Sequence, residues 1–317
     1  RSTLFPYTTL FRSPYSTRSD AGFTLIELMI AMVAGLLVLG ASTALVVSTF
    51  RQTEGNRMRE GIERNARFVN EAMQRDLEET GVGIESTNNF GSLSVWTDTM
   101  AIIRVPYIGA VAAEAHGIVA PAVPGANQGN CGATCLQVAP GASWTIVAGD
   151  LARIQRNTVR RLIRVTGVTT SGVDRRVSYG TQTRLVNHFA TYAGGVTLGS
   201  GTTVQKLALA MYYRDAAGQL FRATQLSATG APMGEVIATG VDTLRFRLVF
   251  TDGDEAATAD TTDADDTNDW NDLQGVRIVV VFRSEFTDAR VNGGAPLRRR
   301  YEWWYAPRNL RYERNRL

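Results

Sequence analysis

The chain has 317 residues, 44% of them hydrophobic, which is enough to bury one large core or two modest ones. Its formal net charge of +3 is small and says little about partners. The distribution of charge is more informative. Nine acidic and no basic side chains lie between Asp252 and Asp272, while seven arginines lie among the last twenty residues.

The first residues do not look like a natural start. No methionine precedes Met29, and residues 1–13 resemble translated sequencing-adapter sequence. We therefore expect residues 1–13 to be non-native and exclude them from the fold. Residues 1–22 as a whole are interpreted as a leader.

The next feature is Gly-Phe-Thr-Leu-Ile-Glu, from Gly22 to Glu27, which runs directly into an apolar stretch. Residues 28–47 contain nothing more polar than serine and threonine, and as a helix they can cross a bilayer core of ~30 Å. A charge at the start of such a span costs about 2.5 kcal/mol or more unless it is neutralised. The pattern predicts a transmembrane segment at about 28–47 and a functional role for Glu27.

The helix is predicted to continue beyond the span as an amphipathic helix. Apolar side chains recur there at steps of three and four, which places them on one face: Met58, Ile62, Ala66, Val69, Met73 and Leu77. Gly81 and Gly83 then supply a stop signal. We predict one helix over residues 23–80, followed by a globular head over residues 81–317.

Beyond Gly83 the hydrophobic period changes to two, which is typical of strands with one wet face. The predicted strands are residues 101–105, 144–148, 160–165, 183–189, 241–248 and 276–283, with a hairpin from 204–213 returning through 218–224. The Gly- and Ala-rich residues 111–140 are predicted to be an exposed insertion. We therefore predict an antiparallel sheet with long loops, packed on the amphipathic half of the helix. This packing buries the apolar face of the sheet and the apolar face of the helix, and it gives an α+β fold.

The chain has two cysteines, Cys131 and Cys135. In an oxidising compartment, a disulfide closing this small loop is the favoured interpretation. The C-x3-C spacing misses the thioredoxin-type redox motif by one residue. Neither His116 nor His188 lies at the spacing of a metal ligand, so the pattern disfavours a zinc site.

The acidic stretch offers carboxylates for calcium at Asp252, Asp254, Asp263 and Asp265. An EF-hand loop that began at Asp263 would have Asn268 where glycine is required and Gln274 where glutamate belongs, so that motif fails. A solvated acidic loop is the favoured interpretation, calcium is the alternative, and we expect no other cofactor.

Near the C-terminus, Arg298–Tyr305 combines arginines with aromatic rings, as single-stranded nucleic-acid grooves do. The alternation of this segment and the strand preference of aromatic residues favour an ordinary closing strand over a nucleic-acid site. The sequence also contains no G-x-S-x-G, P-loop or H-E-x-x-H motif, and Gly81-Val82-Gly83 follows a helix and not a strand. The sequence therefore indicates a structural protein and not an enzyme.

The segment from Gly22 to Glu27, with the apolar span behind it, resembles the class III signal of type IV pilins and type II secretion pseudopilins. The resemblance implies that prepilin peptidase cleaves between Gly22 and Phe23 and that the new amino group of Phe23 is methylated. Glu27 would then form an ion pair with the amino terminus of a neighbouring subunit. It also implies a single-pass protein of the bacterial inner membrane with a periplasmic head.

Several further segments resemble the PilW family of minor pilins. They are residues 64–68 and 74–77, Tyr212-Tyr213, residues 219–222, 241–254, 270–278 and 298–310. The resemblance implies a pilin-like fold and a subunit that primes or caps a type IV pilus used in twitching and adhesion, with other minor pilins and the major pilin as partners. The alternatives are a GspJ-like minor pseudopilin of type II secretion and a DNA-binding or adhesive tip subunit.

Overall fold

A computed structural model describes residues 22–109, 111–119, 130–132, 134–141, 143–180, 189, 198–227, 229–260 and 267–310. The chain forms two compact units, Arg1–Thr53 and Glu54–Leu317. Helix α1 (Leu25–Glu78) runs through the boundary between them. The helix is two residues shorter at each end than the sequence predicts.

In the first unit, every residue from 22 to 53 is exposed to solvent. Within the described residues, α1 is the one helix that is long and apolar enough to cross a membrane. A continuous apolar surface that the protein itself leaves uncovered is typical of a segment that lies in lipid. The structure therefore fits a membrane anchor at this end of the chain.

In the second unit, the helix buries the face that its sequence pattern predicts. All six apolar residues of that face, from Met58 to Leu77, are buried, together with Asp76. The helix ends at a turn in which Gly81 and Gly83 adopt φ values of 75° and 69°, a left-handed conformation that glycine adopts without strain. The predicted helix stop is confirmed.

The remaining regular structure is almost entirely β. The strands are β1 (Leu93–Trp96), β2 (Thr99–Arg104), β3 (Tyr107–Ile108), β4 (Val111–Ala112), β5 (Ala115–Gly117), β6 (Asn130–Gly132), β7 (Cys135–Val138), β8 (Leu151–Arg156), β9 (Val159–Ser171), β10 (Asp174–Gly180), β11 (Thr203–Arg214), β12 (Leu220–Leu226), β13 (Pro232–Ala238), β14 (Val241–Phe250), β15 (Glu255–Ala256), β16 (Leu273–Arg283) and β17 (Arg298–Tyr305). A short 3-10 helix (Asn292–Gly294) precedes β17.

In the described part of the chain these strands form two larger sheets and a small hairpin. The largest has the order β1-β2-β11-β8-β9-β10-β7-β6, with β5 and β12 also paired to β11, and β13 paired to β12. A four-stranded sheet has the order β15-β14-β16-β17, and β3 pairs with β4. The pairings between strands are antiparallel, for example Arg247 opposite Arg277 in β14 and β16. The predicted α+β fold, a long helix followed by an antiparallel β head, is confirmed.

The sequence predicts one sheet on the helix, whereas the structure places two there. The core around the helix face includes Tyr212 and Leu220 from the largest sheet and Phe246 and Ile278 from the four-stranded sheet. Each sheet turns one apolar face inward, which gives the alternation seen in the strand sequences. Alternation shows that a strand has a buried face but does not show which sheet contains it.

Most strand predictions hold, and one is wrong. The predicted hairpin corresponds to β11 and β12, and the predictions near 101–105, 160–165, 241–248 and 276–283 correspond to β2, β9, β14 and β16. Residues 144–148 form no strand, because Val147 donates its N–H to the Asp150 carboxylate in a turn and the neighbouring strand begins only at Leu151. Ile146 is still buried, which explains the apolar pattern. Apart from a buried Phe189, the strand predicted at 183–189 lies outside the described residues.

The prediction of an exposed insertion at residues 111–140 is wrong where β5 and β7 join the largest sheet, although Val111 and Ala112 are exposed as predicted. Strand β7 pairs with β10, and its Leu136 and Val138 are fully buried. Strand β5 pairs with β11 and buries His116. Small residues surround these short strands, so the composition resembles a loop although alternate side chains enter the core.

Candidate functional site

The Gly22–Phe23 bond lies immediately before the first turn of α1. Both residues are outside the helix, and 88% of Phe23 is exposed. A peptidase needs an accessible backbone that is not held in a helix, and this bond meets that requirement. The location of the bond is compatible with the predicted cleavage, which itself stays a prediction.

Thr24 and Glu27 form a capping box at the start of the helix. The Thr24 backbone N–H and hydroxyl donate to Glu27 Oε2 at 3.0 Å and 2.9 Å. In return, the Glu27 backbone N–H donates to Thr24 Oγ1 at 3.3 Å. These bonds satisfy backbone donors that the first turn of any helix leaves unpaired. The sequence pattern of a threonine followed three residues later by a glutamate is the usual signal for this cap, and it supplies a local role for Glu27.

The cap uses only one oxygen of the Glu27 carboxylate. Within residues 22–53, Glu27 Oε1 accepts no hydrogen bond, and the side chain has no cationic partner. An ionised carboxylate can accept about four hydrogen bonds, and the cap supplies two of them, both to Oε2. An ammonium group is the donor that would best offset the cost of a carboxylate at the edge of an apolar helix.

A second polar site lies on the buried face of the helix, inside the head. The side chain of Asp76 is buried, and its two oxygens accept from Arg222 Nε at 2.7 Å and a terminal Arg222 nitrogen at 2.8 Å. The Tyr212 hydroxyl donates to Asp76 Oδ2 at 2.6 Å and lies 2.9 Å from the Ala72 carbonyl oxygen. This Asp76–Arg222–Tyr212 cluster fixes the helix to β11 and β12.

The electrostatics of the cluster keep the ion pair charged. Burial acts to raise the pKa of Asp76, but hydrogen bonds from Arg222 and Tyr212 outweigh it and hold the pKa below its ordinary value of 3.8. Burial and the adjacent carboxylate raise the pKa of Tyr212, so the phenol stays protonated and donates. The sequence pattern contains a signal for this site, since Asp76 interrupts an otherwise apolar helix face.

The other predicted site residues do not join these two sites. Cys131 and Cys135 are joined by a disulfide across the β6–β7 hairpin, with Cα atoms 5.1 Å apart. Asp252 and Asp254 lie on the exposed turn after β14, where the Asp252 carboxylate accepts the Asp254 N–H at 2.9 Å. Asp263 and Asp265 lie outside the described residues.

No group of three or more acidic, histidine or cysteine side chains that could hold a metal occurs among the described residues. The structure of the Asp252–Asp254 turn therefore gives no further support for a calcium site than the acidic residues of the sequence do. Calcium binding there stays a prediction.

The arginine-rich strand β17 is one of the two edge strands of the four-stranded sheet. Its arginines pair with acidic side chains: Arg298 with Asp242 at 2.9 Å, Arg299 with Glu63, and Arg300 with Glu302 at 2.8 Å. Tyr301, Trp303 and Tyr305 pack against the core around the helix. Cations and rings that already have intramolecular partners favour the closing strand over a nucleic-acid groove.

The burial of His116 predicts a pH dependence of head stability that the sequence pattern does not reveal. The ring is buried, its centroid lies 4.8 Å from that of Trp144 with the two rings tilted by 38°, and its Nδ1 accepts the Gly141 N–H at 3.0 Å. Glu114 lies nearby and accepts from Ser143. Burial lowers the pKa of His116 below its ordinary 6.5, although Glu114 opposes this. The unfolded chain therefore takes up a proton first, and we expect the head to lose stability as pH falls below about 6.5.

Thermal melts of the chain between pH 7.5 and 5.5 would measure this effect. Two chains are compared, a reference and His116→Phe, and both carry His188→Asn. In the reference chain His116 is then the one remaining histidine. In His116→Phe the melting temperature should vary less over this range. An equal slope in the two chains would show that His116 is not the cause.

The first unit thus has an exposed Gly–Phe bond, a capped helix and an apolar surface, and the same chain carries a β-rich head. This organisation fits a protein that is anchored through its N-terminal helix. A family model described as the prokaryotic N-terminal methylation motif matches residues 17–43. The match indicates a protein of the type IV pilin or pseudopilin type.

The match covers the N-terminal segment and leaves the head without an assignment. Comparison with curated proteins found no match, and comparison with solved structures found none. Which type of pilin or pseudopilin this chain is must therefore be argued from its own residues.

Proposed function

We propose that this chain is a minor pilin of the PilW type, which primes or caps a type IV pilus. It is processed between Gly22 and Phe23 by prepilin peptidase, methylated at Phe23, and held in the inner membrane with its head in the periplasm. The observation that supports the proposal is the methylation motif at residues 17–43, with Glu27 at the start of the apolar helix, where the cap within residues 22–53 uses only Oε2 of its carboxylate.

After cleavage and methylation, the subunits associate through non-covalent contacts. Apolar helix surfaces of neighbouring subunits pack together once they leave the lipid, and Glu27 Oε1 pairs with the amino terminus of a neighbour. Removing one partner of a desolvated ion pair costs about 3 to 5 kcal/mol, so this pair can select subunits that have been cleaved. The head then selects the other minor pilin or major pilin that lies beside it. No catalytic step by this chain is required.

A GspJ-like pseudopilin of type II secretion is the second candidate, because the same motif occurs in both classes. The two differ in the assembly that needs the protein. A pilus subunit supports surface filaments and twitching, whereas a pseudopilin supports protein export.

Deleting the gene in its host separates these candidates. We expect surface pili and twitching to be lost, export of type II substrates to continue, and the wild-type gene to restore pili. Loss of export with normal pili would favour the pseudopilin. Normal pili that no longer bind DNA or a surface would indicate a tip subunit with a binding role, and would contradict priming.

A further inference from the structure

The outer face of the four-stranded sheet carries a group of arginines, here called the cationic face: Arg245, Arg247, Arg277 and Arg300. The register places Arg247 opposite Arg277, and Arg277 opposite the half-exposed Trp304 of β17. Because side chains at alternate positions share one face of a sheet, Arg245 and Arg247 lie on the same side of β14. The opposite side of β14 carries Leu244, Phe246 and Leu248, which are buried.

Two of these arginines are neutralised within the head. Arg277 lies between Glu255 at 2.8 Å and Glu302 at 3.0 Å, and Arg300 pairs with Glu302 at 2.8 Å. Arg245 and Arg247 are exposed, and neither forms an ion pair within the described part of the chain. Within the described residues, the cationic face therefore has two positive charges, one residue apart on β14, without an acidic partner.

The same hairpin carries the opposite charge. Asp252 and Asp254 are exposed on the turn between β14 and β15, and among the described residues neither carboxylate forms an ion pair. They belong to the stretch of nine acidic and no basic side chains. The two aspartates, like the two arginines, are separated by one residue.

Among the described residues, these charges do not neutralise each other within one molecule. The chain reverses after Phe250, whose N–H donates to the Asp254 carbonyl oxygen at 3.0 Å, and neither aspartate forms an ion pair with Arg245 or Arg247. A second molecule supplies the same four charges in a different orientation. Two copies in opposite orientations would place each pair of arginines against the other copy's pair of aspartates.

We propose that the cationic face binds the Asp252–Asp254 turn of a second copy of this chain. The number and sign of the charges match, and both partners occur on one hairpin, so each copy can contribute both halves of the contact. Complementary charges of this kind set which surfaces meet more than how tightly they bind. The inference goes beyond the proposed function, since it depends only on the charges of the head.

Charge reversal in two separate variants tests the contact. Full-length chains with two different tags are co-expressed, solubilised in detergent, and captured through one tag while the other is measured. We expect the wild-type chain to capture its copy at ~50 mM salt and to lose most of it at ~500 mM, because exposed ion pairs are screened. Arg245→Glu with Arg247→Glu, or Asp252→Arg with Asp254→Arg, should each reduce capture about tenfold, since like charges then face each other.

The decisive sample contains one copy of each variant. Opposite charges face each other again in this mixture, so capture should return toward the wild-type level. A control chain with Arg59→Glu and Arg176→Glu, both exposed and away from the cationic face, should behave as wild type. Failure of the mixture to recover, or equal capture by every chain at both salt concentrations, would overturn the proposal, and neither result depends on whether pili form.

Discussion

Replacing Asp76 with alanine is expected to lower the free energy of unfolding of the head by about 3 kcal/mol, at the lower end of the range for breaking a buried ion pair. The change leaves Arg222 without its carboxylate and removes one of the two acceptors of the Tyr212 hydroxyl, while the Ala72 carbonyl oxygen remains at 2.9 Å. Arg222 is partly exposed and can turn toward water, which limits the loss. Urea unfolding followed by tryptophan fluorescence would measure the effect on the head alone, because all five tryptophans lie beyond residue 54.

Glu71→Ala is the matched control, since Glu71 is exposed on the same helix and alanine keeps the helix propensity. We expect it to change stability by less than about 0.5 kcal/mol. The double variant Asp76→Ala with Arg222→Ala should lose less than the sum of the single variants, because neither partner is then left buried alone. Additive losses would mean that the two side chains do not act as a pair.

The pH dependence of the Asp76 contribution follows from the direction of its pKa. Because the pKa is lower in the folded head than in the unfolded chain, the stabilisation is complete above the ordinary value of 3.8 and is lost as pH falls through the folded value. The loss due to Asp76 begins only below about pH 3.8, whereas the loss due to His116 begins below about pH 6.5.

Replacing Glu27 with alanine is expected to abolish pilus assembly while the protein stays processed and bound to the membrane. The carboxylate is the one group at the start of the span that can neutralise the amino terminus of a neighbour, and its loss would leave that ammonium unpaired among apolar helices, at a cost of about 3 to 5 kcal/mol. Electron microscopy of surface pili and an immunoblot of the membrane fraction would measure assembly and processing separately.

Thr24→Ala separates assembly from helix capping. It removes the hydroxyl that caps the helix, at about 1 kcal/mol, but leaves the Glu27 carboxylate in place. We expect Thr24→Ala to assemble pili and Glu27→Gln, which has no charge, to fail. Wild-type piliation in Glu27→Ala, or equal defects in Thr24→Ala and Glu27→Ala, would contradict a role for Glu27 between subunits.

Local patterns account for what the sequence predicts well. The buried face from Met58 to Leu77 follows from helical periodicity, and β14 and β16 follow from strict alternation. The N-terminal motif is predictable for the same reason, because its six residues and the span behind it are contiguous. Local patterns fail where a backbone turn interrupts apolar residues, as at Val147 and Asp150.

Long-range pairings could not be predicted from local pattern. Arg222 meets Asp76 across 146 residues, and nothing near either residue indicates the other. The pattern does reveal that Asp76 lies on the apolar face and needs a partner, but it does not identify that partner. The burial of His116 is similar, because β5 is only three residues long and too short to show a period.

The N-terminus of the mature protein is the most direct test of the proposed assembly. Mass spectrometry of the membrane form, purified from cells with an active prepilin peptidase, should find a chain that begins at an N-methylated Phe23. A mature chain that still contains Gly22 and the residues before it would contradict the proposed processing, and with it the pairing of Glu27 with a neighbouring amino terminus.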